Sequence, residues 1–249
     1  MNTATLDATA PPTGLPLPAG NGTASAPRKT EWMEGMLRGL QEDQSVTVTD
    51  VTWDRYLALC ETRDRERPGV KIHYANGVFH AMSPSYRHEK WTTRLGLLVQ
   101  MVADEWGVRH EVARATTFRN EELREGLEAD ECFYFANAGA MADREDIDLE
   151  RDPPPDVAIE VDMTTDSTAK LGIYGRIGVP EVWRFDGDTI HVRLRQPDGQ
   201  YAAADRSAAV PEFPLADLVQ FLQDVRHLIL FDMKREAREW VKTLPKWQP

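Results

Sequence analysis

The sequence is short of cysteine, of lysine and of long apolar runs. Its two cysteines, Cys60 and Cys132, lie far apart and form no CxxC pair, so a disulfide framework is excluded and a reducing cytoplasm is the expected compartment. No apolar stretch approaches the ~20 residues that cross a bilayer. The best one, Leu95 to Ala103, is broken by Gln100, so no membrane partner is expected. The N-terminus lacks the basic start and apolar middle of a signal peptide. HExxH, the P-loop, GxGxxG and GxSxG are all missing, which removes a zincin and the phosphate-loop, dinucleotide and serine-hydrolase signatures. Basic residues are outnumbered, 29 against 41 acids, for a net charge of −12. That field repels phosphate, so any nucleic-acid contact needs a local basic patch or a bridging cation.

What remains suits a globular protein. The 249 residues are 41% hydrophobic and 28% charged, enough for a sizeable core and incompatible with a wholly disordered chain or a coiled coil. Residues 1–29 are rich in Ala, Thr, Pro and Gly and poor in large apolar side chains, and read as a disordered tail. Residues 30–223 read as the main domain, and residues 224–249 as a C-terminal amphipathic helix centred on Val225 to Leu244. A helix is expected from Thr30 and another after Thr52. The segment KIHYANGVFHAMS reads as a hairpin turning at Asn76-Gly77. After the Ser83-Pro84-Ser85 helix entry, Trp91, Leu95, Leu98, Val102 and Trp106 form one apolar stripe ending at Gly107. Strands are expected at Arg109 to Phe118, Glu131 to Phe135, Asp156 to Asp162, Pro180 to Asp186 and Thr189 to Arg195, with a helix from Lys170 to Ile177. This mixed order predicts an α/β (α+β) fold with a mixed β-sheet flanked by helices.

The strand DVAIEVD carries the strongest chemical signal. Its alternation sets Val157, Ile159 and Val161 on one face and the acids Asp156, Glu160 and Asp162 on the other. Three adjacent carboxylates repel unless solvent or a cation neutralises them. The face is therefore either solvated or a site for a hard divalent metal. Lysine usage bears on that choice. Only 7 of the 29 basic residues are lysines, and between Trp91 and Met233 the sole lysine is Lys170, ten residues after Glu160. A compact ammonium there can sit beside a nucleophilic water or a developing negative charge, or can be an ordinary helix-surface group. Asp130 opens the aromatic strand ECFYF, and Glu89 and His88 open the long helix. An acid such as Glu89 is also favoured there by the helix dipole alone, and His88 reads as a hydrogen-bonding histidine.

These residues resemble those of the Uma-two (Uma2) restriction-endonuclease family of the PD-(D/E)XK nuclease superfamily. The resemblance is carried by PPPDVAIEVD, then Lys170, then IYGRIGVPEVWRFDG, with HYANGVFHAMSPSYRHE and LEADECFYF upstream and DGQYAAADRSAAVPEFPLADLVQFL downstream, from about Val46 to Gln223. It implies a restriction-endonuclease-like sheet and a metal-dependent endonuclease hydrolysing DNA. Asp130 would stand for the Pro-Asp motif's aspartate, although Ala129 replaces the proline, and Glu160 would be the second acid. The superfamily keeps its lysine two residues after that acid. Asp162 stands there, and Lys170 on the next helix takes the role. Catalysis would rest on Lys170, Glu160, Asp130 and Glu89. Mg²⁺, with Mn²⁺ as a substitute, would be held by Asp130, Glu160 and Glu89. Lys170 would orient or deprotonate the attacking water, and Arg184, Arg193 and Arg195 would form a basic rim. DNA is the implied partner, and a homodimer is expected by analogy for double-strand cleavage. The alternative is a catalytically silent nuclease fold that only binds.

Overall fold

The computed structural model describes residues 3–7, 31–163 and 167–245. In chain order its elements are β1 (Thr3–Asp7), α1 (Glu31–Gly39), β2 (Ser45–Thr49), α2 (Trp53–Glu66), β3 (Lys71–Ala75), β4 (Val78–Met82) and α3 (Tyr86–Trp106). There follow β5 (Glu111–Val112), β6 (Thr117–Asn120), β7 (Glu125–Glu128), β8 (Glu131–Tyr134), α4 (Ala138–Met141), β9 (Val157–Val161) and α5 (Thr168–Ile177). The last are β10 (Glu181–Phe185), β11 (Ile190–Arg195), β12 (Tyr201–Ala204), α6 (Leu215–Asp224) and α7 (Leu230–Trp240), closed by a 3-10 turn at Val241–Thr243. This is a mixed α/β protein with two mixed sheets rather than one. The chain divides into two compact units, residues 1–86 with 121–128, and residues 87–120 with 129–249.

In the first unit the strands run β1-β2-β4-β3-β7. The β3–β4 hairpin turns where expected, with Asn76 at φ 51° and Gly77 at φ 78°, a left-handed pair that Asn-Gly accepts at little cost. Alternation along β2, β3 and β4 buries Val46, Val48, Ile72, Tyr74 and Phe79 in one core with Trp32, Met33 and Leu37 of α1 and Tyr56 and Leu59 of α2. Arg63 of α2 and Glu128 of β7 form a buried ion pair beside that core. Thr3–Asp7 pairs in parallel with Ser45–Thr49, and Leu6 packs against the core. This corrects the reading of a disordered tail for those five residues: a β-branched and leucine-containing pentapeptide finds a sheet edge. The rest of residues 1–30 lies outside the described residues, as does Trp247.

The second unit holds the sheet β12-β11-β10-β9-β8-β5. Only β9 and β10 are parallel, because α5 carries the chain back between them. β9 is buried on both faces. Its Val157, Ile159 and Val161 share a core with Leu95, Leu98, Val99 and Val102 of α3 and with Trp183, Phe185, Leu218, Leu222 and Met233. The predicted α3 stripe thus faces the sheet. Two expectations need correction. The strand expected at Arg109 to Phe118 is interrupted, with Arg114 at φ 51° kinking the chain between β5 and β6. The C-terminal helix starts at Leu230, not Val225. Arg94 of α3 donates to the carbonyls of Arg226 (3.2 Å) and Leu228 (2.6 Å) and fixes a turn there, while α6, unforeseen, precedes it. Met233, Ala237 and Val241 are buried in the sheet's core, so this segment belongs to the second unit.

The rotation of α5 is fixed by the β11–β12 hairpin. A Cβ on Gly175 would strike the carbonyl oxygen of Gly199, backbone against backbone. Arg195 Nε donates to the Gly175 carbonyl at 2.7 Å, and the Tyr201 hydroxyl donates to the Val179 carbonyl. Gly175→Ala is therefore expected to lower stability by ~1–3 kcal/mol through overpacking, read as a fall in the urea midpoint. An unchanged midpoint would mean that α5 is free to shift.

Candidate active site

The register of β8 against β9 pairs Glu131 with Ile159 and Cys132 with Ala158. Asp130 immediately precedes β8 and its charge acts on Glu160 of β9, where like charges are unfavourable. Both carboxylates are buried, 4% and 2% exposed. A second source of charge offsets the repulsion. Lys170, in the first turn of α5, brings its Nζ to 2.7 Å from Glu160 Oε2. One turn later the Tyr174 hydroxyl donates to Glu160 Oε1. On the other side, His88 of α3 meets Asp130, Nε2 to Oδ2 at 3.0 Å, and the Val161 amide donates to the same oxygen at 2.8 Å.

The groups form a row with the two acids in the middle and a basic group at each end: His88, Asp130, Glu160, Lys170. Burial pushes the Glu160 carboxyl up to about 7, with Lys170 pulling it down and Asp130 pushing it further up. Burial opposes the charge on Lys170, but Glu160 and Asp130 outweigh it, and the ammonium's pKa lies above its ordinary value. Lys170 therefore keeps its proton at neutral pH. It can orient water and stabilise phosphate oxygens, but the expected role of deprotonating water does not suit it. Burial likewise lowers His88, and the hydrogen bonds and charges of Asp130 and Glu89 together more than reverse this, raising it to about 9.

Several sequence readings change here. Asp156 and Asp162 flank the strand that carries Glu160 and do structural work. Asp156 accepts from the amides of Phe135 (2.7 Å) and Asn137 (3.1 Å) and from the Asn137 side chain. Asp162 accepts from the Ser167 amide and hydroxyl and from Arg184 Nε at 2.8 Å, which fastens the start of α5. The three acids of DVAIEVD are thus neither a solvated face nor a joint metal cage. The expected basic rim is also largely engaged, Arg184 with Asp162 and Arg195 with the Gly175 carbonyl. Glu89 has a 51% exposed side chain and stands 3.6 Å from the other ring nitrogen of His88. Among the described residues no three His, Cys, Asp or Glu side chains gather as a metal cage, so Glu89 does not complete one with Asp130 and Glu160. Tyr174 was missed altogether. Its spacing of four residues from Lys170 on one helix was the available signal.

The Asp130–Glu160 pair fits a hard divalent cation. Mg²⁺ needs only one or two protein carboxylates, because it retains waters and uses substrate phosphate oxygens. Two like-charged buried acids also gain from such a charge.

Residues 53–225 match the model of the Uma2 family, described as "Putative restriction endonuclease". Among solved structures, the chain resembles one described as "a putative nuclease belonging to DUF820 from Anabaena variabilis", at 13% identity, covering 77% of this chain and 99% of that one, with a TM-score of 0.45. No curated protein matches.

Proposed function

The chain belongs to the Uma2 family, and from that premise we propose that it is a Mg²⁺-dependent endonuclease that hydrolyses DNA phosphodiester bonds. The observation that carries this reading is the convergence of Lys170 on Glu160 at 2.7 Å, with the Asp130 charge acting on both. Residues forty apart in the chain rarely bury two acids and an amine together for packing alone, because each charge loses hydration.

Asp130 and Glu160 would hold the cation, with Mn²⁺ able to replace Mg²⁺. When bound, the metal supplies charge neutralisation at the phosphate and a lowered pKa for water. The remaining chemistry belongs to the chain. His88 aims Asp130 through the bond to its Oδ2. Glu89, on the far nitrogen of His88, supports that contact and acts on solvent rather than as a ligand. Lys170 would leave Glu160 to donate to a non-bridging phosphate oxygen as the water oxygen bonds to phosphorus, its proton passing to solvent, and the ester P–O bond breaks, the leaving oxygen taking a proton from solvent. The four central groups sum to zero charge, so a bound dication turns the site positive and attracts the phosphate despite the chain's net charge of −12. A homodimer would place two such sites on the two strands.

Supercoiled plasmid is expected to be nicked in Mg²⁺ or Mn²⁺ and left intact in chelator. Intact plasmid in every metal, with DNA still retained by the protein in a gel shift, would instead make the fold a binding module.

A further inference from the structure

We infer that Tyr174 is a positioning residue for Glu160: it holds Oε1 while Lys170 holds Oε2, and it keeps the carboxylate in place when Lys170 turns to the substrate. This rests on the metal-nuclease reading above and assigns that site one more residue.

Lys170 and Tyr174 lie four residues apart on α5, so both point from one face of the helix. They reach the two oxygens of a single carboxylate. Lys170 has two duties, a partner for Glu160 at rest and a donor to phosphate in the reaction. When it changes partner, a buried Glu160 beside Asp130 would lose half of what fixes its geometry. Tyr174 supplies the other half and has no competing task.

Packing alone does not explain the hydroxyl. Tyr174 is fully buried, and a phenylalanine would fill the same space without burying an oxygen that must find a hydrogen bond. The hydroxyl donates to the oxygen of Glu160 that Lys170 leaves open. Its direction is set by the surroundings of the helix. The next residue, Gly175, lies against the Gly199 carbonyl, and Arg195 holds the Gly175 carbonyl at 2.7 Å. Neither contact involves Glu160, so α5 presents Tyr174 independently of whether Lys170 is engaged.

The test uses the full-length protein, Mn²⁺ binding by calorimetry and plasmid nicking. Tyr174→Phe is expected to fold with an unfolding temperature close to wild type. It should bind Mn²⁺ about 10-fold more weakly and nick about 10–100-fold more slowly at saturating DNA, with KM for plasmid unchanged, as loss of a supporting hydrogen bond behind a metal ligand does. Ile173→Val, a buried neighbour on the same helix, should lower the unfolding temperature and leave Mn²⁺ affinity alone. Lys170→Met should lose nicking yet still bind Mn²⁺, because Tyr174 remains on Glu160. The inference is overturned if Tyr174→Phe binds Mn²⁺ and turns over like wild type. It is equally overturned if that variant fails to fold, which would make the hydroxyl a stability element, or if Lys170→Met loses Mn²⁺ binding. Wild-type protein that neither binds Mn²⁺ nor nicks in any metal would remove the nuclease reading itself, and this inference with it.

Discussion

Lys170→Met is expected to reduce the proposed metal-dependent nicking by about 10²–10³-fold, because it would delete a preorganised cation aimed at developing phosphate charge, or ~3–4 kcal/mol of the barrier. Methionine keeps the length and volume of the side chain and removes only the ammonium, so the comparison isolates charge. The fold should survive. Removing one member of a buried pair is ordinarily costly, but Glu160, already pushed up to about 7, can take a proton and become a neutral acid bonded to Tyr174. The variant should therefore bind cation better at pH 8 than at pH 6, as the carboxyl ionises. Lys170→Arg should not restore activity, because a planar fork cannot replace a point charge 2.7 Å from one oxygen. Nicking by Lys170→Met at the wild-type rate, measured under single-turnover conditions, would remove Lys170 from the mechanism.

The second large effect is on stability against pH. His88 has a side chain only 5% exposed and is raised from 6.5 to about 9, because Asp130 and Glu89 together outweigh its burial. A histidine whose folded pKa is raised lends stability that is complete below about 6.5 and is lost as pH climbs to about 9. At 1.36 kcal/mol per pKa unit this is worth up to ~3 kcal/mol. Urea unfolding at pH 6 and at pH 9.5 should differ by about that amount in wild type and by much less in His88→Gln. Comparing the two proteins cancels the contribution of the buried thiols Cys60 and Cys132, whose unfolded forms also ionise in this window. Asp130→Asn should flatten the profile in the same way, since it removes the acceptor. Equal pH slopes in wild type and His88→Gln would mean that the His88–Asp130 contact does not hold a proton.

Much of this was legible in the sequence. The Asn76-Gly77 turn, the α3 stripe and the alternation of β9 each follow from a local rule that the structure obeys. Glu160, Lys170 and Asp130 could be singled out because an acid on a buried strand and a lone lysine after it are chemically unusual. The partners of Asp156 and Asp162 could not be read, because a carboxylate accepting backbone amides has the same sequence signature as one awaiting a cation. Only the loop it fastens distinguishes them. The two-sheet division was hidden for a related reason. β7 lies next to β8 in sequence but pairs with β3, some fifty residues earlier, and such pairing leaves no local trace. Tyr174 was overlooked because aromatic residues are usually read as core, and it is core as well. The C-terminal helix was placed too early because the turn at Val225 to Leu228 is set by Arg94, 131 residues or more upstream.

His88, Asp130, Glu160, Lys170 and Tyr174 come from four segments: α3, the entry to β8, β9 and α5. Contacts of such high sequence separation form late in folding, after the loops between them have closed. A chain still emerging from the ribosome, with α5 not yet released, holds the two acids without the amine. On the function proposed for these residues, destructive chemistry against nucleic acid would thereby be withheld from every partial product until the sheet is complete.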